Sequence, residues 1–421
     1  PYLQQVDEEI APQLTALNDD IMLNRPLFSR LDAVYLQRAK LDAESKRLVE
    51  VIWQRFQLAG ANLPEAQKQQ LKALNQEAAR LGTRFTNRLL AATKAGGLVV
   101  NDLQQLAGLS PADLAVAQAE AQARGLEKSG LLVLQNTTQQ PALQSLADRA
   151  TREALFKAGV TRTEKGDEND TRELVLRLAQ VRAEQARLLG FASYAEWKLQ
   201  DQMAKTPKAA LAFMHNIVPA ARARAEREAA AIQQTIDKQQ GGFTLQAWDW
   251  RFYAEQVRRA RYDLDESQIK PYFELNSVLQ NGVFWAATQL YGIRFTPRQD
   301  LPVYHPDVQV YEIFDADETP LALFYTDFFK RDSKGGGAWM SNFVNQSTLL
   351  DTKPVIYNVC NYTKPPAGEP ALLSWDDVIT MFHEFGHTLH GLFASQRYPS
   401  LSGTETPRDF VEFPSQINEQ W

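Results

Sequence analysis

The sequence predicts a mainly α protein with one small embedded β-sheet, and three observations carry that expectation. From the start to about Leu290, apolar residues recur at helical spacing. Between Gly292 and Tyr362 the texture changes to short β-rich segments separated by Asp, Pro and Gly turns. After Pro370 helical periodicity returns. The chain therefore divides into a largely helical region over 1–290, a small and mostly antiparallel sheet over 291–362, and the start of a further helical region over 363–421.

Taken in order, Leu71, Leu74, Ala78, Leu81, Phe85 and Leu89 recur every three or four residues and fall on one helical stripe. Gly96-Gly97 should end that helix, because glycine tolerates the left-handed conformation of a C-terminal cap. Leu98 to Val100 and Leu131 to Leu134 read as strands or extended linkers. Ser110-Pro111-Ala112-Asp113 reads as a helix start: a hydroxyl cap, proline in the first turn and a carboxylate at the amide end. Asp170 opens another helix, with Leu174, Leu178, Val181 and Leu188 on its buried side and Gly190 closing it. A further helix from about Lys208 should kink at Pro219. Within it His215, between Leu211 and Val218, reads as a satisfied core histidine. Asp263-Leu264-Asp265-Glu266 lacks the spacing of a calcium loop and reads as a solvated turn. The β-rich segments are Ile293-Arg294-Phe295, Val308-Gln309-Val310, Leu321 to Tyr325 and Val355 to Val359, with His305 in a turn before Pro306.

Composition narrows the function. The 421 residues carry 45 Lys and Arg against 51 Asp and Glu, a formal charge of −6, with 44% hydrophobic and 23% charged residues. These values exclude a disordered tail, a collagen-like repeat and a disulfide scaffold. The acidic balance argues against a nucleic-acid partner, which needs a concentrated basic face. No apolar run approaches a membrane span. The single cysteine, Cys360, cannot form an internal disulfide. It reads as a small buried side chain in a protein of the reducing cytoplasm. The chain begins Pro1-Tyr2 and stops at Trp421 inside a motif, so it reads as a piece of a longer polypeptide lacking both ends.

The chemistry is concentrated after Pro370. Ser374 precedes Asp377 by three, a capping-box start to a helix running to about Ala394. Inside it lies His383-Glu384-Phe385-Gly386-His387. Residues four apart share a helical face, so both imidazoles can converge on one ion, while Glu384 can reach a water on that ion as a general base.

A catalytic zinc needs a third protein ligand. His390 shares the helix face, but His383 to His390 spans about 10.5 Å of helical rise, too far for one tetrahedral ion; it is a candidate for a supporting role. Glu405, in Thr404-Glu405-Thr406-Pro407, sits in a solvated turn. Glu412 follows Thr406-Pro407, which reads as a capped helix start with proline at its first position. A ligand on a second helix gives rigid three-point support with an open fourth position, so Glu412 is the expected third ligand. Glu419, seven residues on, would fall on the same side if the helix continued past Pro414, and is a candidate for orienting a ligating histidine.

His383 to His387 within Phe382 to Leu392, followed by Phe410-Val411-Glu412-Phe413-Pro414-Ser415-Gln416, resembles the thimet oligopeptidase family of zinc metallopeptidases. Asn136 to Pro141, Trp248-Asp249-Trp250 to Arg259, Lys270 to Asn276 and Arg331 to Met340 are similar to its bacterial peptidyl-dipeptidase branch. The resemblance implies a gluzincin fold: a mainly helical ellipsoid split by a channel that admits only short, unfolded peptides, with the small sheet at the channel. It implies one zinc per chain on His383, His387 and Glu412, Glu384 as general base, and Arg408 near the active site; read alone, Arg408 would pair with Asp409. Arg331 to Ala338 falls in the sheet region. There Gly336 and Gly337 either let a peptide backbone approach closely or form a plain hairpin turn.

The implied activity is hydrolysis of short oligopeptides with release of C-terminal dipeptides, by a monomer. Two alternatives stay open: an endo-acting oligopeptidase of the same family, and a non-enzymatic helical module whose zinc staples two helices. The family's tyrosine and histidine donors to the tetrahedral intermediate lie well beyond the third ligand, whereas this chain ends nine residues after Glu412. The isolated 421 residues are therefore expected to bind zinc with crippled turnover.

Overall fold

The structure, a computed structural model, describes residues 2–262 and 266–421; Asp263-Leu264-Asp265, the core of the expected solvated turn, lies outside the described residues. Helices dominate, and one five-stranded sheet interrupts them.

The N-terminal part opens with α1 (Tyr2–Met22), α2 (Arg25–Leu36), α3 (Ala43–Ala59) and the 31-residue α4 (Glu65–Ala95). The stripe containing Leu71 lies on α4, and Gly96 ends the helix, its N–H bonded to Ala92 O. Strand β1 (Leu98–Val100) pairs antiparallel with β2 (Gly130–Leu132), so these apolar pieces are strands. Between them runs α5 (Pro111–Ala123), capped by Ser110, whose hydroxyl accepts the Asp113 N–H.

Helices α6 (Asn136–Ser145) and α7 (Arg149–Val160) follow. Next comes α8 (Arg172–Leu188), which packs along α4. Asp170 stands just before this helix: its carboxylate accepts the Gly166 and Arg172 N–H groups, and the helix begins two residues later than expected. The short α9 (Tyr194–Lys198) leads to α10 (Pro207–Lys238), 32 residues long and continuous through Pro219. Residues 211–220 of α10 are all exposed, so His215 is a surface residue and not the core histidine its apolar neighbours implied. The apolar stripe there is real, with Leu211, Phe213, Met214, Ile217 and Val218 all solvent-facing, but nothing among the described residues covers it.

Ahead of α11 (Trp250–Tyr262) sits a buried ionic knot. Asp249 is fully buried, gripped in bidentate fashion by Arg149 at 3.0 and 2.9 Å and contacted by the equally buried Arg152 at 3.3 Å. Arg152 also donates to Leu146 O and Ala147 O through Nη1, while its buried Nε has no partner among the described residues.

After α12 (Glu266–Ile269), α13 (Leu275–Ser277) and α14 (Trp285–Tyr291) comes the sheet: β3 (Arg294–Pro297), β4 (Gln309–Phe314), β5 (Pro320–Phe329), β6 (Trp339–Val344) and β7 (Val355–Tyr362). The order is β3-β4-β5-β7-β6, with β5 and β7 parallel and the other pairs antiparallel. Strand β6 was not among the expected segments. It follows the glycine turn directly and lies at one edge of the sheet.

Helix α15 (Trp375–Leu392) lies on this sheet. Its capping box is formed: Ser374 Oγ accepts the Asp377 N–H, and Asp377 accepts the Ser374 N–H in return. Phe385 and Leu389 enter the largest core with Phe284, Phe295, Phe324 and Ile356. Phe284 and Phe295 stack at 3.8 Å between centroids. Each such side chain contributes about 1.5–3 kcal/mol on burial, and together they fix the rotation of α15. The last helix, α16 (Glu412–Asn418), begins at Glu412 itself; residues 407–411 form turns, so Pro407 does not start the helix. Asp409, the residue expected to pair with Arg408, instead accepts the N–H groups of Met203 and Ala204, both at 2.9 Å, which holds the segment in its turn conformation.

Candidate metal centre

With the Phe385 and Leu389 face of α15 turned to the sheet, the His383 and His387 face is left for α16. Gly386 permits the approach. A Cβ built on it would lie 2.6 Å from Ser415 Cα and 2.8 Å from Asn418 Cβ, so no larger residue fits without parting the helices. Asn418 Nδ2 donates to Phe382 O at 2.6 Å, a polar tie across the same contact.

This crossing brings three donors together. Glu412 Oε2 lies 3.1 Å from His383 Nε2 and 3.0 Å from His387 Nε2. Among the described residues His383, His387 and Glu412 form the one group of three or more His, Cys, Asp or Glu ligand atoms that could hold an ion, all within 4.8 Å of one another. Bonds of 2.0–2.1 Å in a tetrahedron separate ligand atoms by about 3.3 Å, which this spacing nearly matches. Glu412 is further braced by Ser415, whose hydroxyl donates to its Oε2 at 3.1 Å.

His383 faces Glu419 on its other side, Nδ1 to Oε1 at 2.7 Å. A carboxylate there accepts the Nδ1 proton and leaves the Nε2 lone pair turned toward Glu412 and His387, the tautomer a metal requires. His387 is buried, its Nδ1 has no partner, and burial pushes its pKa down in spite of the Glu412 charge. That direction suits a metal ligand, which must be neutral.

Glu384 is 5% exposed, and its Oε2 has no hydrogen-bond partner. Burial chiefly, with the nearby Glu412 charge, pushes its carboxyl up to about 7 against the opposing effect of His383. A carboxyl so poised takes up and releases protons near neutrality.

The remaining expected residues are dispersed. His390 lies further along α15, outside the cluster, its Nδ1 unpartnered and its pKa lowered by burial. Arg408 is exposed; its backbone N–H donates to Gln202, and its side chain makes no bond to the cluster. Glu405 is half exposed and pairs with Arg55 at 3.5 Å. Gly336 and Gly337 occupy the exposed β5–β6 turn, Gly337 at φ +89°, with open space where a Cβ would stand. Asn361 Nδ2 holds this turn through Gly335 O and Gly337 O. Cys360 is fully buried, its thiol pushed up to about 12 by burial. Ser415 and Asn418 were missed in the sequence. Their i+3 and i+6 spacing from Glu412 is the one signal that could have placed them on the face toward α15.

Residues 142–421 match the family model described as Peptidase family M3. Over all 421 residues the chain is 66% identical to dipeptidyl carboxypeptidase of Escherichia coli (strain K12), covering 62% of that protein. It is 65% identical to the dipeptidyl carboxypeptidase of Salmonella typhimurium, again over 62% of that protein. To oligopeptidase A of Escherichia coli it is 35% identical over 391 residues, 91% of this chain and 57% of that one. The chain thus spans about three fifths of the length of the curated relatives it matches.

Proposed function

The chain belongs to peptidase family M3, and on that premise we propose that it forms the metal-binding part of a zinc peptidase that hydrolyses short oligopeptides and releases C-terminal dipeptides. The observation that carries the reading is the convergence of His383 Nε2, His387 Nε2 and Glu412 Oε2, with the Glu384 carboxyl buried beside them. Two imidazoles and one carboxylate are the donor set of catalytic zinc, which keeps a fourth position open; structural zinc takes four protein donors. The lowered pKa of His387 and the Glu419 carboxylate at His383 Nδ1 fit such an ion.

Zinc held by His383, His387 and Glu412 would supply a Lewis acid for the scissile carbonyl and would lower the pKa of water from 15.7 toward ~7. Glu384, buried beside the three donors, would take the proton of the attacking water and deliver it to the leaving amine. Glu419 keeps His383 oriented throughout. The Gly335–Gly337 turn offers open backbone for a peptide to approach. Release of dipeptides rests on the 66% identity to a dipeptidyl carboxypeptidase, against 35% to an oligopeptidase. A monomer in the cytoplasm completes the reading, which the single buried Cys360 suits. No helix among the described residues is long and apolar enough to cross a membrane.

The test combines metal analysis with peptide digestion in a full-length enzyme carrying this sequence. One zinc per chain is expected in the wild type and in Glu384→Gln, with hydrolysis abolished in the variant; His387→Ala should lose the metal. Loss of zinc from Glu384→Gln would overturn the base assignment, and zinc retained by His387→Ala would overturn the ligand assignment. A peptide with a free C-terminus should lose dipeptides, and its amidated twin should resist. Equal cleavage of both would favour the alternative reading, an endo-acting oligopeptidase of the same family.

A further inference from the structure

Far from the metal cluster in the chain, helices α1, α3, α4, α8 and α9 enclose an open cavity of about 570 Å³, a volume typical of small-molecule sites. It shares no residue with the cluster around Glu412. Its most telling occupant is Asp19, 4% exposed. Asn75 Nδ2 donates to Asp19 Oδ1 at 2.7 Å, and Gln185 Nε2 in turn donates to Asn75 Oδ1 at 2.7 Å. This relay satisfies one carboxylate oxygen. The other, Oδ2, is buried with no partner in a residue that lines the cavity. An unsatisfied buried carboxylate oxygen is costly, and a ligand donor is the direct remedy.

The same cavity carries positive charge. Lys198 Nζ lies 3.8 Å over the Trp197 ring, and the Arg182 guanidinium 5.1 Å over that of Tyr194. Neither cation makes an ion pair at 4.0 Å or less with a described residue, although Asp201 on the same lining acts electrostatically on Lys198; Arg182 in particular retains capacity for an anion. Met22, Leu58 and Leu178 complete an apolar lining. A ligand that meets all three features must join a cationic donor, an anionic group and an apolar body in one small molecule.

The geometry points to a binding site for an amino-acid-type zwitterion, its ammonium on Asp19 Oδ2, its carboxylate toward Lys198 and Arg182, and an apolar side chain against Met22, Leu58 and Leu178. This inference goes beyond the peptidase reading and does not depend on it. Free amino acids and dipeptides share the chemistry, and the experiment separates them.

Metal-free protein is titrated calorimetrically with L-leucine, with L-alanyl-L-leucine and with N-acetyl-L-leucine. At least one of the first two should saturate at a single site below about 10 mM, and the stronger names the source. The acetylated compound, lacking an ammonium, should bind at least about tenfold more weakly, and Asp19→Asn should weaken the preferred probe by a similar factor. Gly82→Leu supplies an independent check. Gly82 lines the cavity in mid-α4, and a Cβ there meets nothing within 4 Å, so leucine fills the space while improving helix propensity. This variant should keep its fold by circular dichroism and lose the binding. Absence of saturation with both probes, equal binding of the acetylated compound, or unchanged binding in Gly82→Leu would each overturn the site.

Discussion

Gly386 and Ser415 meet backbone to backbone: a methyl group on the glycine would stand 2.6 Å from the serine Cα. The position of α16, and with it both Glu412 and Glu419, depends on that contact. Gly386→Ala should therefore destabilise the fold by roughly 1–3 kcal/mol through overpacking. It should also weaken zinc binding, because the carboxylate on α16 is displaced from imidazoles fixed on α15. Unfolding in urea and competition with a metal-sensitive chelator dye measure the two effects. Unchanged zinc affinity would show that α16 is positioned by other contacts.

Glu419 touches the proposed zinc site through His383 Nδ1, at 2.7 Å. Its replacement by Gln keeps the shape but removes the charged acceptor of the Nδ1 proton. Such orienting partners are worth 10–100-fold in metal affinity, so Glu419→Gln should lower zinc affinity by about that factor with the metal stoichiometry still one. Glu419→Asp, which keeps the charge, should restore part of the loss. An affinity equal to that of the wild type would remove Glu419 from the site.

What could be read from the sequence follows the range over which each feature is determined. His383 and His387 are four residues apart on one helix, a relation set by local geometry, and so are Ser374 and Asp377. Glu412 was reachable because a catalytic zinc requires a third ligand and few carboxylates follow. The start of its helix was not. Pro407 carries the local signal for a helix start, but Asp409 is engaged with the amides of residues 203 and 204, two hundred residues earlier. His215 failed for a related reason: apolar periodicity reports a face able to be buried, not one that is. The ties through Ser415 and Asn418 depend on how closely two helices approach, which Gly386 decides and no local pattern announces.

The knot at Asp249 makes a prediction about stability alone. Asp249→Ala strands the Arg152 guanidinium, 1% exposed, without its carboxylate partner, and should cost roughly 3–5 kcal/mol. Adding Arg152→Met to that variant should recover part of the loss, since the apolar side chain needs no partner among Phe252 and Tyr253. Urea denaturation of the single and double variants, compared by midpoint and slope, measures both steps. A double variant no more stable than Asp249→Ala would mean that Arg152 acts through its bonds to Leu146 O and Ala147 O instead.

Glu384 links the candidate chemistry to the pH dependence of folding in metal-free protein. Its folded carboxyl is pushed up to about 7, chiefly by burial, from an ordinary value of 4.5. The folded state therefore binds this proton more tightly than the unfolded chain does. The resulting stabilisation is complete below about pH 4.5 and is lost as pH rises through about 7; across that window it amounts to roughly 3 kcal/mol. His387, whose pKa is lowered by burial, contributes with the opposite sign, losing stability as pH falls through its ordinary value of 6.5. The clean measurement is the difference in unfolding free energy between wild type and Glu384→Gln, in chelator, from about pH 4.5 to 7.5. That difference should move against the wild type by the stated amount as pH rises, because the glutamine cannot ionise. Saturating zinc should shrink the effect, since a cation beside Glu384 favours the ionised carboxylate. A flat difference in chelator would mean that Glu384 is not desolvated as its burial indicates, and the proton-transfer role proposed for it would lose its physical basis.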